Sequence, residues 1–226
     1  MYTRYMKRGI IGGLVASVLV LASISLPIQA ATSKSDLLKA NLSSLGSFDT
    51  LSTTAPALAT PEWYKSKTVN YSVSSNGAIK GNLAEFATLT NQTLNDARGW
   101  SQLDVKFVQV ASGGTLKIVL AQSSLMTSYS SDGCTADWSC TVGNTIIIND
   151  DRWTGASDSW NNAGGSLRDY RNMVINHETG HWLGHHHEFC SGAGQLAPVM
   201  QQQSIDLMGC KFNPWPLPSE LWSTRI

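Results

Sequence analysis

From residue 68 onward the chain alternates. In 68–73, Val69, Tyr71 and Val73 fall on one side with polar residues between them, the period-two pattern of a strand that buries one face. Between 83 and 97 the period lengthens: Leu83, Phe86, Ala87, Leu94 and Ala97 fit one helical face, and Gly99 stands where a helix would stop. Alternation returns over 104–110 and 115–121, two runs joined through Ser112-Gly113-Gly114. A less regular stretch with two cysteines leads to the apolar run 145–148, short enough for a buried strand. The last long element is a helix. Gly164-Gly165-Ser166 announces it, with Ser166 as N-cap and Asp169 in the capping-box position three residues on. Leu167, Tyr170, Val174, His177 and His181 then share a face at spacings of three and four, and Gly184 is placed to end the helix. The order strand, helix, several strands, long helix predicts one α+β domain over residues 62–226, without internal repeats.

Upstream the pattern is different. Residues 31–61 are rich in Ser, Thr, Ala and Leu, end in STTAPALATP and carry no period, as expected of a linker or weakly ordered arm. Residues 9–31 form an uncharged, largely apolar run behind Arg4, Lys7 and Arg8, closing on Pro27-Ile28-Gln29-Ala30. This reads as a signal peptide, 1–30, cut after Ala30, so the mature protein is expected to be secreted. The alternative is an uncleaved anchor that holds the protein to the membrane through 9–31, because the run approaches the length needed to cross a bilayer.

Composition and charge narrow the picture. With 42% hydrophobic and 14% charged residues the chain can bury a core, which excludes disorder throughout. Its 16 basic residues balance 16 acidic ones; removing 1–30 takes three basic residues and leaves 13 against 16, a formal charge of −3. That balance gives a nucleic-acid partner no support, and a stable membrane partner is expected only if 9–31 is retained. Cys134, Cys140, Cys190 and Cys210 make an even count, which in an exported chain points to two disulfides. Pairing Cys134 with Cys140 and Cys190 with Cys210 keeps each loop local, and no close CxxC pair argues for a cysteine zinc site.

All five histidines lie in HETGHWLGHHH, residues 177–187. On a helix His177 and His181, four apart, emerge one above the other and can approach one ion from adjacent turns. Glu178 is displaced by about 100° around the axis, which suits a carboxylate that reaches a metal-activated water instead of the metal. His185 would lie roughly 12 Å beyond His177 on a continuous helix, too far for His177, His181 and His185 to share an ion unless the helix bends. Gly184 offers the bend, since glycine takes the left-handed conformation that turns the chain back. His187 is then better placed as third ligand, with His185 in reserve and His186 a turn residue.

The string HExxHxxGxxH resembles the zinc-binding consensus of the metzincin metallopeptidases. That resemblance implies His177, His181 and His187 as ligands of one Zn2+ and Glu178 as general base. It also implies a methionine turn beneath the metal, for which Ala197-Pro198-Val199-Met200 is the counterpart and Met208 the weaker candidate. The implied fold is a small mixed sheet with a backing helix, an active-site helix and an irregular C-terminal subdomain. More narrowly, 68–218 resembles a family of secreted bacterial proteins known as domain of unknown function 3152, carried by NDARGW, IIINDDRW, NHETGHWLGHHHEFC, APVMQQQ and GCKFNPWP. The chain departs from many metzincins in having Gln201, Gln202 and Gln203 after Met200 where a tyrosine is common, which leaves the oxyanion stabiliser unassigned. A cysteine latency switch is absent from 31–61; Asp36 or Asp49 is the type of residue that could replace it.

These readings converge on an exported, disulfide-bonded zinc metalloendopeptidase-like protein that hydrolyses peptide bonds in a peptide or protein substrate. The rival class is a secreted or cell-surface binding module in which zinc only shapes a loop; Glu178 discriminates, because a structural site needs no carboxylate beside an open coordination position. A subclass with a downstream glutamate ligand would have to use Glu220. Two further expectations concern the cleft and the sheet end. Residues 138–141 are expected to form an edge strand along which an extended substrate pairs. Asp150 and Asp151, beside Arg152 and Trp153, are expected to pack the sheet end as a polar corner, lacking the alternating oxygen ligands of a calcium loop.

Overall fold

The computed structural model describes residues 67–226. The signal-peptide and arm assignments for 1–61 lie outside the described residues. In chain order the elements are β1 (Lys67–Asn76), α1 (Leu83–Leu94), β2 (Val105–Gln109), β3 (Leu116–Ala121), β4 (Cys140–Val142), β5 (Thr145–Asn149), α2 (Asp150–Gly155), α3 (Asp158–Asn162) and α4 (Leu167–Leu183). The five strands form one sheet in the order β2-β1-β3-β5-β4. Four of them run parallel; β4, at one edge, runs antiparallel to β5 across the turn Gly143-Asn144. The sheet is therefore mixed, with helices on one side.

The two alternating runs joined through Gly113 and Gly114 do not pair with each other. β2 pairs with the first half of β1, up to Tyr71, and β3 with the second half, from Tyr71 onward. The chain crosses β1 at Tyr71, where Val110 N–H donates to the Tyr71 carbonyl at 2.8 Å. A Cβ at Gly114 would lie 2.8 Å from both Cα and C of Tyr71, so the crossing requires glycine.

Strand alternation sorts the core into two layers. Tyr71, Phe107, Leu116, Ile118, Leu120, Ile146 and Ile148 face α1 and α4, where they meet Phe86, Leu94, Met173 and Val174 in the main cluster. Val119, Ala121 and Ile147 face the other way, onto Met126, Cys134 and Cys140. Each Leu, Ile, Val, Phe or Met among them contributes about 1.5–3 kcal/mol when fully buried. Helix α1 ends earlier than its apolar spacing predicts, at Leu94, and Ala97 is exposed. The cause is Asn95, whose side chain pairs with both the N–H and the C=O of Phe107 at 3.0 Å, extending β2 instead of the helix. Leu83 and Leu167, each the first residue of its helix, are also partly exposed, at 37% and 36%.

Two short helices, α2 and α3, connect β5 to α4 in the chain. Each has an N-cap: Asn149 accepts from Asp151 and Arg152, and Ser157 accepts from Trp160. Buried Asp150 accepts from the N–H groups of Lys80 and Gly81, at 2.5 and 3.0 Å, so the acidic pair does form a polar corner at the sheet end. No helix among the described residues is long and apolar enough to cross a membrane.

Candidate metal centre

Helix α4 carries the site on its last turns. Ser166 accepts from the Asp169 N–H at 3.0 Å, and its hydroxyl donates to the Asp169 carboxylate at 2.8 Å, which sets where the helix begins. Gly184, at φ 108°, ends it, with the His185 N–H returning to the Gly180 carbonyl at 3.0 Å. The reversal brings His187 over His177, ring centroids 5.3 Å apart, and beside His181 at 4.7 Å. One ring nitrogen from each of His177, His181 and His187 lies within 4.8 Å of the others.

Their tautomers follow from their partners. His177 Nδ1 lies 2.8 Å from the Val199 carbonyl and His181 Nδ1 3.0 Å from the His185 carbonyl; a carbonyl only accepts, so both Nδ1 atoms carry the proton. Each Nε2 is left as a bare lone pair when the ring is neutral. Burial first, and then the neighbouring His181, push His177 down to about 3; burial likewise lowers His181 and His187. His181 Nε2 and His187 Nε2 lie 3.1 Å apart, close enough for both to reach one ion. Three neutral imidazoles with backbone carbonyls behind two of them are a donor set that fits Zn2+.

Glu178 is 4% exposed. Thr141, on the edge strand β4, places its hydroxyl 2.9 Å from both the backbone carbonyl and Oε2 of Glu178. Burial pushes the carboxyl up to about 8, with the Thr141 bond working in the opposite direction. A cleft of about 240 Å³ opens beside the three histidines and Glu178, walled by the 133–141 loop and strand on one side and Gln201–Ser204 and Ile205 on the other.

The floor of the site is Ala197-Pro198-Val199-Met200, all buried, in a turn closed by Gln201 N–H to the Pro198 carbonyl at 3.0 Å. Met200 packs against Gly180 of α4, where a Cβ would collide with its Sδ and approach Trp100 to 3.0 Å. Met208 lies elsewhere, 58% exposed and at φ 53°. Cys134 pairs with Cys140 and Cys190 with Cys210, the second bridge closing the loop that carries the methionine turn. Gln201 and Gln203 are buried staples: Gln201 bonds Cys190 N–H and the Asp206 and Leu207 carbonyls, and Gln203 bonds Asn213 and Pro198.

Several residues take places other than those expected. His185 is buried between Trp100 and Trp222, its ring 3.8 Å from that of Trp222, and it serves the site through its backbone carbonyl. His186 is exposed. Edge pairing spans 140–142, not 138–141, because 134–139 is drawn into the disulfide loop by bonds from Asn149 to the Ala136 carbonyl and from Arg152 to the Asp137 carbonyl. Glu220 is fully buried behind the methionine turn, accepting from Val199, Met200 and Leu217 N–H groups. The sequence reading missed the packing of Gly180, the clamp that Glu220 makes on the methionine turn and the Thr141 contact to Glu178. For Gly180 there was a signal, a glycine kept inside a helix at a cost of about 1 kcal/mol against alanine.

No curated protein matches the chain. Among solved structures it is similar to the archaemetzincin of Methanopyrus kandleri, at 10% identity and a TM-score of 0.40, over 71% of this chain and 94% of that one. The family model described as "Protein of unknown function (DUF3152)" matches residues 37–209, more than half of the sequence, and the chain belongs to that family.

Proposed function

We propose that the protein is a secreted zinc-dependent metalloendopeptidase. The observation that carries this reading is the convergence of three neutral imidazoles on one point beside a buried carboxyl group, Glu178, at the wall of an open cleft. His177, His181 and His187 would hold the ion through their ring nitrogens. A zinc ion there would supply Lewis acidity, lowering the pKa of a water toward about 7 and polarising a peptide carbonyl.

This chain's own groups do the rest. Glu178 accepts the proton of the attacking water and returns it to the leaving amine, with Thr141 fixing the carboxylate on the cleft side. The Val199 and His185 carbonyls hold two of the imidazoles in the tautomer that presents Nε2. Met200, locked under Gly180, keeps the floor rigid. Two disulfides accord with export.

The test is elemental analysis of purified residues 31–226, wild type beside Glu178→Ala and His181→Ala, with a pooled peptide library assayed on the same samples. The expected outcome is one zinc in wild type and Glu178→Ala, cleavage by wild type alone, and loss of both in His181→Ala. Zinc retained by wild type with no cleavage would instead support the metal-shaped binding module.

A further inference from the structure

Glu220 is a carboxylic acid with no exposed surface and, among the described residues, no ion-pair partner. A buried carboxylate without a cation is strongly unfavourable unless hydrogen bonds meet both oxygens. Here they do. Oε2 accepts from Val199 N–H at 2.9 Å and Leu217 N–H at 2.7 Å, and Oε1 accepts from Met200 N–H at 2.8 Å. Packing alone does not call for an ionisable group at this position.

The peptide unit between Val199 and Met200 explains the choice. Its N–H is the Met200 donor to Glu220, and its C=O is the Val199 acceptor of His177 Nδ1–H at 2.8 Å. One planar amide therefore joins the carboxylate to the imidazole. An anion on the N–H side polarises an amide and makes its oxygen a stronger acceptor, because hydrogen bonds in a chain reinforce one another. A stronger acceptor at Nδ1 raises the basicity of Nε2, the atom that faces the other two histidines.

We infer that Glu220 is a positioning residue for the metal centre, acting on His177 through the Val199–Met200 peptide as a relayed carboxylate–histidine pair. The inference rests on the metal-binding part of the proposed function but not on turnover. It assigns to a residue 33 positions beyond His187 control over how tightly the ion is held.

The test measures zinc affinity by competition with a chromophoric chelator at a temperature well below unfolding, for wild type, Glu220→Gln and Glu220→Asp. Glutamine keeps the shape and removes the charge, and its zinc affinity is expected to fall about 10–100-fold, the range for partners behind a ligand. In the same zinc-loaded samples the His177 Nδ1–H proton resonance is expected to move upfield, while that of His181, bonded to His185, stays in place. Aspartate keeps the charge but draws it back by one methylene, so its affinity is expected to be intermediate; it also provides the reading if Glu220→Gln does not fold. Equal zinc affinity in the folded variants, or an unmoved His177 proton, overturns the inference even if stability falls. A wild-type protein that takes no zinc overturns it together with the proposed function, whereas zinc binding without peptide cleavage leaves the relay to be decided by the variants alone.

Discussion

The sheet region, 67–149, and the segment after α4, 184–226, are stabilised by different means. In the first, apolar side chains alternate along strands and meet helices α1 and α4, and backbone pairing is supplied by the strands themselves. In the second, the only regular element is a 3-10 turn at Pro218–Glu220, and buried polar side chains bond the backbone instead: Gln201, Gln203, Asn213 and Glu220 together reach at least ten main-chain groups. Apolar burial tolerates displacement, since it has no preferred direction. Polar staples do not, which suits the segment that must hold a turn in register beneath three histidines.

Four measurements would break or sharpen that contrast. The largest expected effect is on the apolar side. Ile118→Ala, fully buried in β3, should lower stability by about 4 kcal/mol in urea unfolding while the folded protein keeps its zinc affinity. Next come the disulfides, one to each region. Replacing Cys190 and Cys210 by serine opens a loop with separation 20 and should cost about 3 kcal/mol; replacing Cys134 and Cys140, with separation 6, about 2 kcal/mol. Zinc affinity should drop in the first pair only, and equal effects on zinc would refute the division of labour.

Gln203→Ala should lose about 2 kcal/mol by leaving the Asn213 N–H and the Pro198 and Asn213 carbonyls without their partner, and unlike Ile118→Ala it should weaken zinc binding. The smallest effect belongs to Thr141→Val, expected to lower kcat/KM about tenfold, the equivalent of about 1.4 kcal/mol for one bond to a charged group. Its pH profile carries a sign. Thr141 favours the charged form of Glu178, so removing it raises that carboxyl further, and the acidic limb of kcat/KM should move to higher pH.

The same contrast explains what could be read without coordinates. The caps of α4, Ser166 and Gly184, are local signals, and the structure uses both. Alternation located β2 and β3 to within a residue and the start of β1, which runs three residues past the alternating stretch to Asn76, and the apolar run located β5. Their order was not legible, because the crossing at Tyr71 depends on a glycine forty-three positions away whose role appears only when the backbones meet. Helices α2 and α3 are too short to show a period, although Asn149 and Ser157 are ordinary cap residues that mark them in retrospect. His177, Glu178 and His181 were legible because their geometry is that of a single helix, and His187 because a glycine turn constrains its return. Glu220 was weighed only as a ligand. Its partners, Val199 and Met200, are backbone amides, which every sequence position offers equally.

The distance along the chain between Glu220 and the histidines has a consequence for biosynthesis. His177, His181 and His187 emerge from the ribosome well before Val199 and Met200, and those before the carboxylate that clamps their shared peptide. Metal binding and folding are coupled, so a chain that has presented its ligands but not yet residue 220 lacks the finished floor.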